Sequence, residues 1–304
     1  MEVTEPRCSF DDAPLACVRD RVIDSFTGER FSIWQCPRCE TGVTLPRPSQ
    51  VAPYYGDDYH GDRHRASGSF ANRRRLAWVE AVSPVDQPRL IDVGCGDGSF
   101  LVAARRRAWL VAGTELHPND ARAKDLRVES DLLDLDDLGP VDVITFWHSL
   151  EHLGDPRAAL RAAASRLRPG GVVLLAVPNF DSLQSRVTRA SWLHLDAPRH
   201  LWHFNARALR VRLADANLEP VRWWHLELEY DLAGWAQSLQ TPFTGGRTLF
   251  FDQLTGRSPA GSGRARAGSM AAGVVLSALT LPLVPVTTLS GRGAVVAVAA
   301  RVRP

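Results

Sequence analysis

The chain has 304 residues, a formal net charge of +2, 45% apolar and 23% charged residues. That balance excludes disorder, collagen-like sequence and a small disulfide-stapled domain, and it allows one large domain or two of ordinary size. The near-neutral charge gives no electrostatic footprint for a nucleic-acid partner. The first residues, Met-Glu-Val-Thr-Glu-Pro-Arg, lead into no apolar run, so the expected compartment is the cytoplasm.

Residues 1–50 read as a small β-rich module. Arg30–Trp34 alternates as a strand, and Thr27-Gly28 before it reads as a hairpin turn. Cys36-Pro-Arg-Cys39 is a CxxC knuckle, the spacing by which two thiolates grip one tetrahedral Zn²⁺. Cys8 and Cys17 supply two further thiols at a wider spacing, with Asp11 where the second cysteine of a CxxC pair would stand. The expected ligand set is therefore Cys8, Cys17, Cys36 and Cys39 around a structural zinc, the alternative being a ribbon held together by packing alone. Residues 51–87 read as a linker with cap helices. It carries Tyr54, Tyr55 and Tyr59, then a helix over 70–82 whose Arg73, Arg74 and Arg75 read as a solvated face, the alternative being that they face an acidic substrate.

From residue 88 strands and helices alternate. Leu90–Val93, Ala108–Thr114, Val141–Phe146 and Val172–Val177 are expected strands. Ser99–Arg107, Arg157–Leu167 and Ala206–Ala216 are expected helices, the second opened by Asp155-Pro156 as cap and first-turn proline. The alternation predicts an α/β fold with a parallel sheet covered on both faces. Val221–Glu229 and Gly293–Val302 read as two closing strands, with Gly261–Gly268 between them as a flexible stretch. From Ala267 to Gly291 there is no charged residue; Met270–Leu281 is an apolar helix candidate interrupted by Pro282 and Pro285.

The sharpest local signal is Asp92-Val93-Gly94-Cys95-Gly96-Asp97-Gly98, placed after a strand and before a helix. Glycines there let the backbone approach a ligand, and the helix N-terminus offers free N–H groups. Glu115 ends the next strand, where an acidic side chain can accept both ribose hydroxyls of a nucleoside cofactor. The spacing is GxGxG rather than the GxGxxG of dinucleotide folds. Asp92 at the strand end would repel a phosphate and suits an ammonium group.

In these residues the sequence resembles the class I S-adenosylmethionine (SAM)-dependent methyltransferases. The resemblance extends through Phe146–Pro156 and through Leu167–Gly171 with Val177-Pro178-Asn179, covering roughly 53–230. The early cysteines followed by Tyr54-Tyr55 resemble a subset with an N-terminal zinc-ribbon-like module. The resemblance implies a Rossmann-like doubly wound seven-stranded sheet with an antiparallel last strand. Its domains would be the module at 1–50, the linker and caps at 51–87, a SAM-binding core at 88–230, a helical insertion at 231–291, and the last strand at 292–304. It implies that Gly94, Cys95, Gly96 and Gly98 shape the cofactor loop beside Asp92. Glu115 would hold the ribose, Asp131 and Leu132 the adenine, and Trp147 and His148 the methionine end, with Tyr55 in a lid.

Methyl transfer from a sulfonium needs alignment and, for some acceptors, a base. The segment Asp196–Phe204 lies where this fold places acceptor-binding elements, so His200 and His203 are candidate bases and Arg199 a candidate for an anionic acceptor. The alternative is that they are structural groups pinning the loop. His148 and His152, four apart, would share a helix face, and the family segment accounts for them without a metal. The expected function is methyl transfer to a small or lipid-linked acceptor, such as a sugar or polyprenyl intermediate. Peripheral membrane contact is expected through 268–290, with Arg264, Arg266 and Arg292 at its edges. An RNA methyltransferase and a non-catalytic SAM-binding protein are the alternatives.

Overall fold

The computed structural model describes residues 5–50, 52–54, 68–116, 121, 124–257 and 261–303. In chain order its strands are β1 (Ala16–Ile23), β2 (Arg30–Gln35), β3 (Gly42–Leu45), β4 (Arg89–Val93), β5 (Leu110–Thr114), β6 (Val128–Glu129), β7 (Val141–Trp147), β8 (Leu167–Pro178), β9 (Trp202–His203), β10 (Leu218–Trp224) and β11 (Val295–Val302). Its α-helices are α1 (Gly68–Glu80), α2 (Ser99–Arg105), α3 (Pro156–Arg166), α4 (Leu183–Thr188), α5 (Ala206–Asp215), α6 (Leu228–Gln240), α7 (Leu249–Leu254), α8 (Gly263–Thr280) and α9 (Leu283–Leu289). Two compact units emerge, neither contiguous in sequence. One takes in residues 66–177, 209–224 and 297–304; the other takes in 1–65, 178–208 and 225–296. The boundaries expected from sequence at 50, 87, 230 and 291 run along the chain instead.

The first unit is built on a seven-stranded sheet in the order β10-β11-β8-β7-β4-β5-β6. Every residue of β7, Val-Asp-Val-Ile-Thr-Phe-Trp, is buried. Such a strand requires cover on both faces, which the helical connections supply. β4 pairs in parallel with both β5 and β7, so the strand order reverses there. The crevice beyond the C-terminal end of β4 is thus the switch point at which open α/β sheets bind ligands. β10 and β11 run antiparallel, from Leu218 opposite Val302 to Trp224 opposite Ala297. Asp155 caps α3 by accepting from the amides of Arg157 and Ala158, with Pro156 in the first turn, as its sequence predicts.

The second unit holds an antiparallel four-stranded sheet, β1-β2-β3-β9. β9 is only two residues long and carries no sequence signal. It joins the N-terminal ribbon to the Asp196–Phe204 segment. Phe31, Ile33, Tyr54, Phe180, Trp192 and Leu195 form a common core. α6 to α9 belong to the same unit. The strand expected over 221–229 stops at Trp224, and a helix starts at Leu228. Glu229 and Asp231 in the first turn of α6 suit its dipole, and this outweighs the alternating Leu-Glu-Leu-Glu pattern. The stretch expected to be flexible at Gly261–Gly268 is mostly helical: Ser262 caps α8 by accepting from the Ala265 amide. α8 packs one face inward, where a Cβ on Gly273 would collide with the Phe250 ring. Its other face leaves Val274, Val275 and Leu279 exposed, and α9 leaves Val286 and Leu289 exposed. The two helices meet at a 56° bend near Pro282, and among the described residues no single helix is long and apolar enough to cross a membrane.

Candidate active site and cysteine centre

The loop after β4 is held tightly. The amides of Gly94 and Cys95 both donate to the Thr114 carbonyl at 2.9 Å. Gly94 has a φ of +74°, and a Cβ there would sit 2.6 Å from the Ser149 Cβ. Only glycine satisfies both conditions. The Gly96 amide donates to Glu115 Oε2 at 2.8 Å, and the Leu116 amide to Oε1 at 2.8 Å. The predicted ribose-binding carboxylate is thus placed at the end of β5, against the loop. Asp97 accepts from Lys124 Nζ at 2.8 Å and from the Ser99 amide at 3.0 Å. Although burial opposes its ionisation, these donors hold its carboxyl below the ordinary value.

Asp92 is buried at the end of β4 and accepts from Thr145 Oγ1 at 2.6 Å. Burial pushes its carboxyl up to about 7, against the Thr145 hydrogen bond and the Arg75 charge, with Glu115 adding to the rise. Cys95 is buried under Gly113, and burial, Asp92 and Glu115 raise its thiol. It remains a protonated packing group, shaping the loop rather than reacting.

Trp147 ends β7, buried, with Phe100 edge-on at 5.5 Å and Trp78 at 6.1 Å. Its indole Nε1 is buried without a hydrogen-bond partner among the described residues. His148 follows at a φ of +53°, its amide donating to the Ala176 carbonyl. His148 and His152 do not share a helix face, because Leu150–His152 is a single 3-10 turn. Asp131 is exposed and turns its carboxylate onto the Leu133 amide at 2.8 Å, while Leu132 is buried. Tyr55, like Tyr59, lies outside the described residues.

Arg75 was not among the expected site residues. Its guanidinium lies 5.1 Å over the Trp147 ring, and its charge is felt at Asp92. Its Nε is buried without a hydrogen-bond partner among the described residues. The sequence signal was present but weak. Arg75 and Trp78 stand three residues apart on α1, one turn of a helix, so the face carrying them is not a uniformly solvated one.

A family model described as "Methyltransferase domain" matches residues 62–222, more than half of the chain. The chain belongs to the methyltransferase-domain family. Its seven-stranded sheet with antiparallel last strands is that of the class I, SAM-dependent branch. Among curated relatives, the ubiquinone biosynthesis O-methyltransferase of Ralstonia nicotianae is 31% identical over 117 residues, which is 34% of this chain and 49% of that protein. The corresponding enzyme of Xanthomonas campestris pv. campestris is 34% identical over 120 residues, 36% of this chain and 50% of that protein. The chain spans about half the length of the curated relatives it matches. A SAM-dependent methyltransferase structure from Archaeoglobus fulgidus aligns with a TM-score of 0.48 at 17% identity, covering 79% of this chain and 96% of that one.

The remaining expected residues of this family member lie in its other unit. Arg199 is turned into the interior of that unit. It is buried, donating twice to Asp196 Oδ1 at 2.9 and 2.7 Å and once to the Tyr54 carbonyl at 2.9 Å, and it pairs with buried Asp24 at 2.8 Å. A guanidinium so committed is a structural tie. His203 is also interior. Thr44 Oγ1 gives its proton to the His200 carbonyl at 2.6 Å, so His203 Nε2, 2.9 Å away, donates to that hydroxyl. Burial, then the charges of His200 and Arg19, hold the His203 imidazole well below its ordinary value, so it stays neutral. His200 is the least enclosed of the three; its Nδ1 is 2.9 Å from the His194 carbonyl, and its Nε2 is 3.9 Å from Asp196.

Cys8, Cys36 and Cys39 converge, but Cys17 does not join them. It is exposed, its thiol turned toward the Arg19 carbonyl. Asp11 takes the fourth place, and the four ligand atoms lie within 4.8 Å of one another. The expected fourth ligand is corrected accordingly: Cys17 lies on β1 opposite Trp34 with its side chain exposed, whereas Asp11 lies on the turn beside Cys8. Cys8 and Cys39 sulfurs are 3.8 Å apart, and Cys36 Sγ is 3.3 Å from Asp11 Oδ2. Tetrahedral edges for Zn–S and Zn–O bonds come to about 3.3–3.8 Å, so the donor set fits zinc. Burial pushes the Cys8 thiol up to about 12.

Proposed function

We propose that the chain is a SAM-dependent methyltransferase acting on a small or lipid-linked biosynthetic acceptor at a membrane surface. The observation that carries the cofactor assignment is the Glu115 carboxylate fixed on the Gly96 amide at the sheet's switch point. Bound SAM would supply an electrophilic methyl group on a sulfonium. Glu115 would accept from its ribose hydroxyls, Asp92 would face its ammonium and Arg75 its carboxylate. Trp147 would wall the methionyl end. In the second unit, Arg199 and His203 hold the loop that carries His200. The ubiquinone biosynthesis O-methyltransferases among the relatives support a small-molecule acceptor.

The membrane reading is supported by the uncharged run, the exposed apolar residues of α8 and α9, and the arginines at either end of the pair. The test uses full-length protein, methyl-labelled SAM and a cell extract separated into organic, aqueous and nucleic-acid fractions. Label is expected in the organic fraction. Label confined to nucleic acid would install the RNA reading, and no transfer would overturn both. In parallel, the protein should float with anionic vesicles, and Val275→Glu with Leu279→Glu should abolish flotation while SAM binding persists. Equal flotation of the variant would remove the helix pair from the proposal.

We further propose a structural zinc on Cys8, Asp11, Cys36 and Cys39. Elemental analysis should find about one zinc per chain, retained in Cys17→Ser and lost in Cys36→Ser and Asp11→Ala. Loss from Cys17→Ser with retention in Asp11→Ala would reverse the assignment of the fourth ligand.

A further inference from the structure

A cavity of about 230 Å³ lies in the unit that carries the four-stranded sheet, between the N-terminal segment and β3. Phe10, Thr41, Leu45, Arg47 and Trp202 are among the residues that line it. Methyl transfer requires none of them. The Arg47 guanidinium lies 4.0 Å over the Trp202 ring, and the Phe10 ring packs 4.8 Å from the same indole at 38°. A guanidinium stacked on an aromatic face keeps its in-plane N–H edge available, and that edge matches a carboxylate bidentately.

The cavity has two arginines, and their situations differ. Arg7 is committed to Asp12 through two hydrogen bonds at 2.8 and 3.1 Å. Arg47 has no hydrogen-bond or ion-pair partner among the described residues. A second polar group in the wall is also unsatisfied. Thr41 is 3% exposed, and its Oγ1 is buried without a hydrogen-bond partner among the described residues. Buried hydroxyls are ordinarily paired, so an orphan lining a cavity points to a group that enters it. Apart from Cys8 and Ser9, the rest of the wall is apolar or aromatic. The volume falls below the ~300–1,000 Å³ of drug-sized sites, which restricts the occupant to about one substituted ring.

We propose that this cavity is a binding site for a small aromatic carboxylate. The carboxylate sits on the free edge of Arg47, the ring lies against Phe10, Leu45 and Trp202, and the Thr41 hydroxyl bonds a polar substituent or a carboxylate oxygen. The site stands apart from the β4 loop and does not depend on the assignment of methyl transfer.

The experiment titrates a fluorinated benzoate into the full-length protein, with its zinc content recorded, and follows the probe by fluorine NMR. Saturable binding is expected. Arg47→Gln should weaken it at least about tenfold, the loss expected for one charge-assisted hydrogen-bonded pair, and Thr41→Val should weaken it by a smaller factor. The neutral isostere, a fluorinated benzamide, should bind at least about tenfold more weakly than the benzoate. Arg47 is an exposed residue, and its variant should keep the melting temperature and SAM affinity of the parent, which separates loss of this site from loss of fold. Benzamide binding as tightly as benzoate, unchanged affinity in Arg47→Gln, or no saturable binding of benzoate at millimolar concentration would each overturn the proposal.

Discussion

Glu115→Ala is expected to lower SAM affinity by about a hundredfold or more. A carboxylate that accepts from both ribose hydroxyls makes two charge-assisted hydrogen bonds, each worth ~1.5–3 kcal/mol. The Gly96 and Leu116 amides already fix its orientation, at 2.8 Å each, so little ordering remains to be done when the ribose arrives. Alanine removes the acceptor and also releases the Gly96 amide, which loosens the loop where it must approach the ligand. Glu115→Gln should lie between, because the amide oxygen keeps one acceptor position without the charge. Asp131→Ala is the internal control. Its carboxylate caps the following turn through the Leu133 amide, so its loss should change SAM affinity by less than about fivefold. Isothermal calorimetry with SAM measures all three. Equal affinity in Glu115→Ala and wild type would remove the β4–β5 crevice as the cofactor site.

The parts of the molecule that were legible in the sequence are those where one local rule acts alone. The Asp92–Gly98 loop carries its own strand, turn and helix signals, and β7 is mostly apolar, so the switch point is readable without any long-range contact. Asp155-Pro156 marked the start of α3 for the same reason. The failures share a cause, namely that distant partners decide them. Cys17 looks like a ligand by residue type, yet its thiol is exposed on β1 and turned to the Arg19 carbonyl, and Asp11 stands in the cluster instead. Arg75 looked solvated until Trp147, far along the chain, supplied a ring beneath it. β9 has too few residues to show a period and exists because β3 offers it an edge. Arg199, the candidate for an anionic acceptor, and His203, a candidate base, have partners that no local pattern shows. Their partners, Asp24 and Thr44, lie more than a hundred residues away in sequence.

Arg199 therefore separates the two readings of its segment. Arg199→Ala is expected to destabilise the fold by about 3–5 kcal/mol, the range for removing one partner of a buried ion pair. The guanidinium is 1% exposed, and its loss takes the buried positive charge from the Asp24 and Asp196 carboxylates and a donor from the Tyr54 carbonyl. For a protein of this size that corresponds to a fall in melting temperature of roughly 6–20 °C. The pH dependence has a definite sign. Burial alone would raise the Asp196 carboxyl, but the Arg199 and His200 charges and the Arg199 hydrogen bonds hold it well below the ordinary value. A carboxyl depressed in the folded state contributes stability above its unfolded value of about 3.9, and that contribution is lost as pH falls through the lower folded value. The gap between wild type and Arg199→Ala should thus be widest at neutral pH and should narrow on acidification below about pH 4. Scanning calorimetry across that range reads both quantities. A variant with an unchanged melting temperature and a raised KM for the acceptor would return Arg199 to the acceptor site. A large loss of stability with SAM affinity retained in the folded fraction would fix it as the tie between the Asp24 turn and the loop that carries His200.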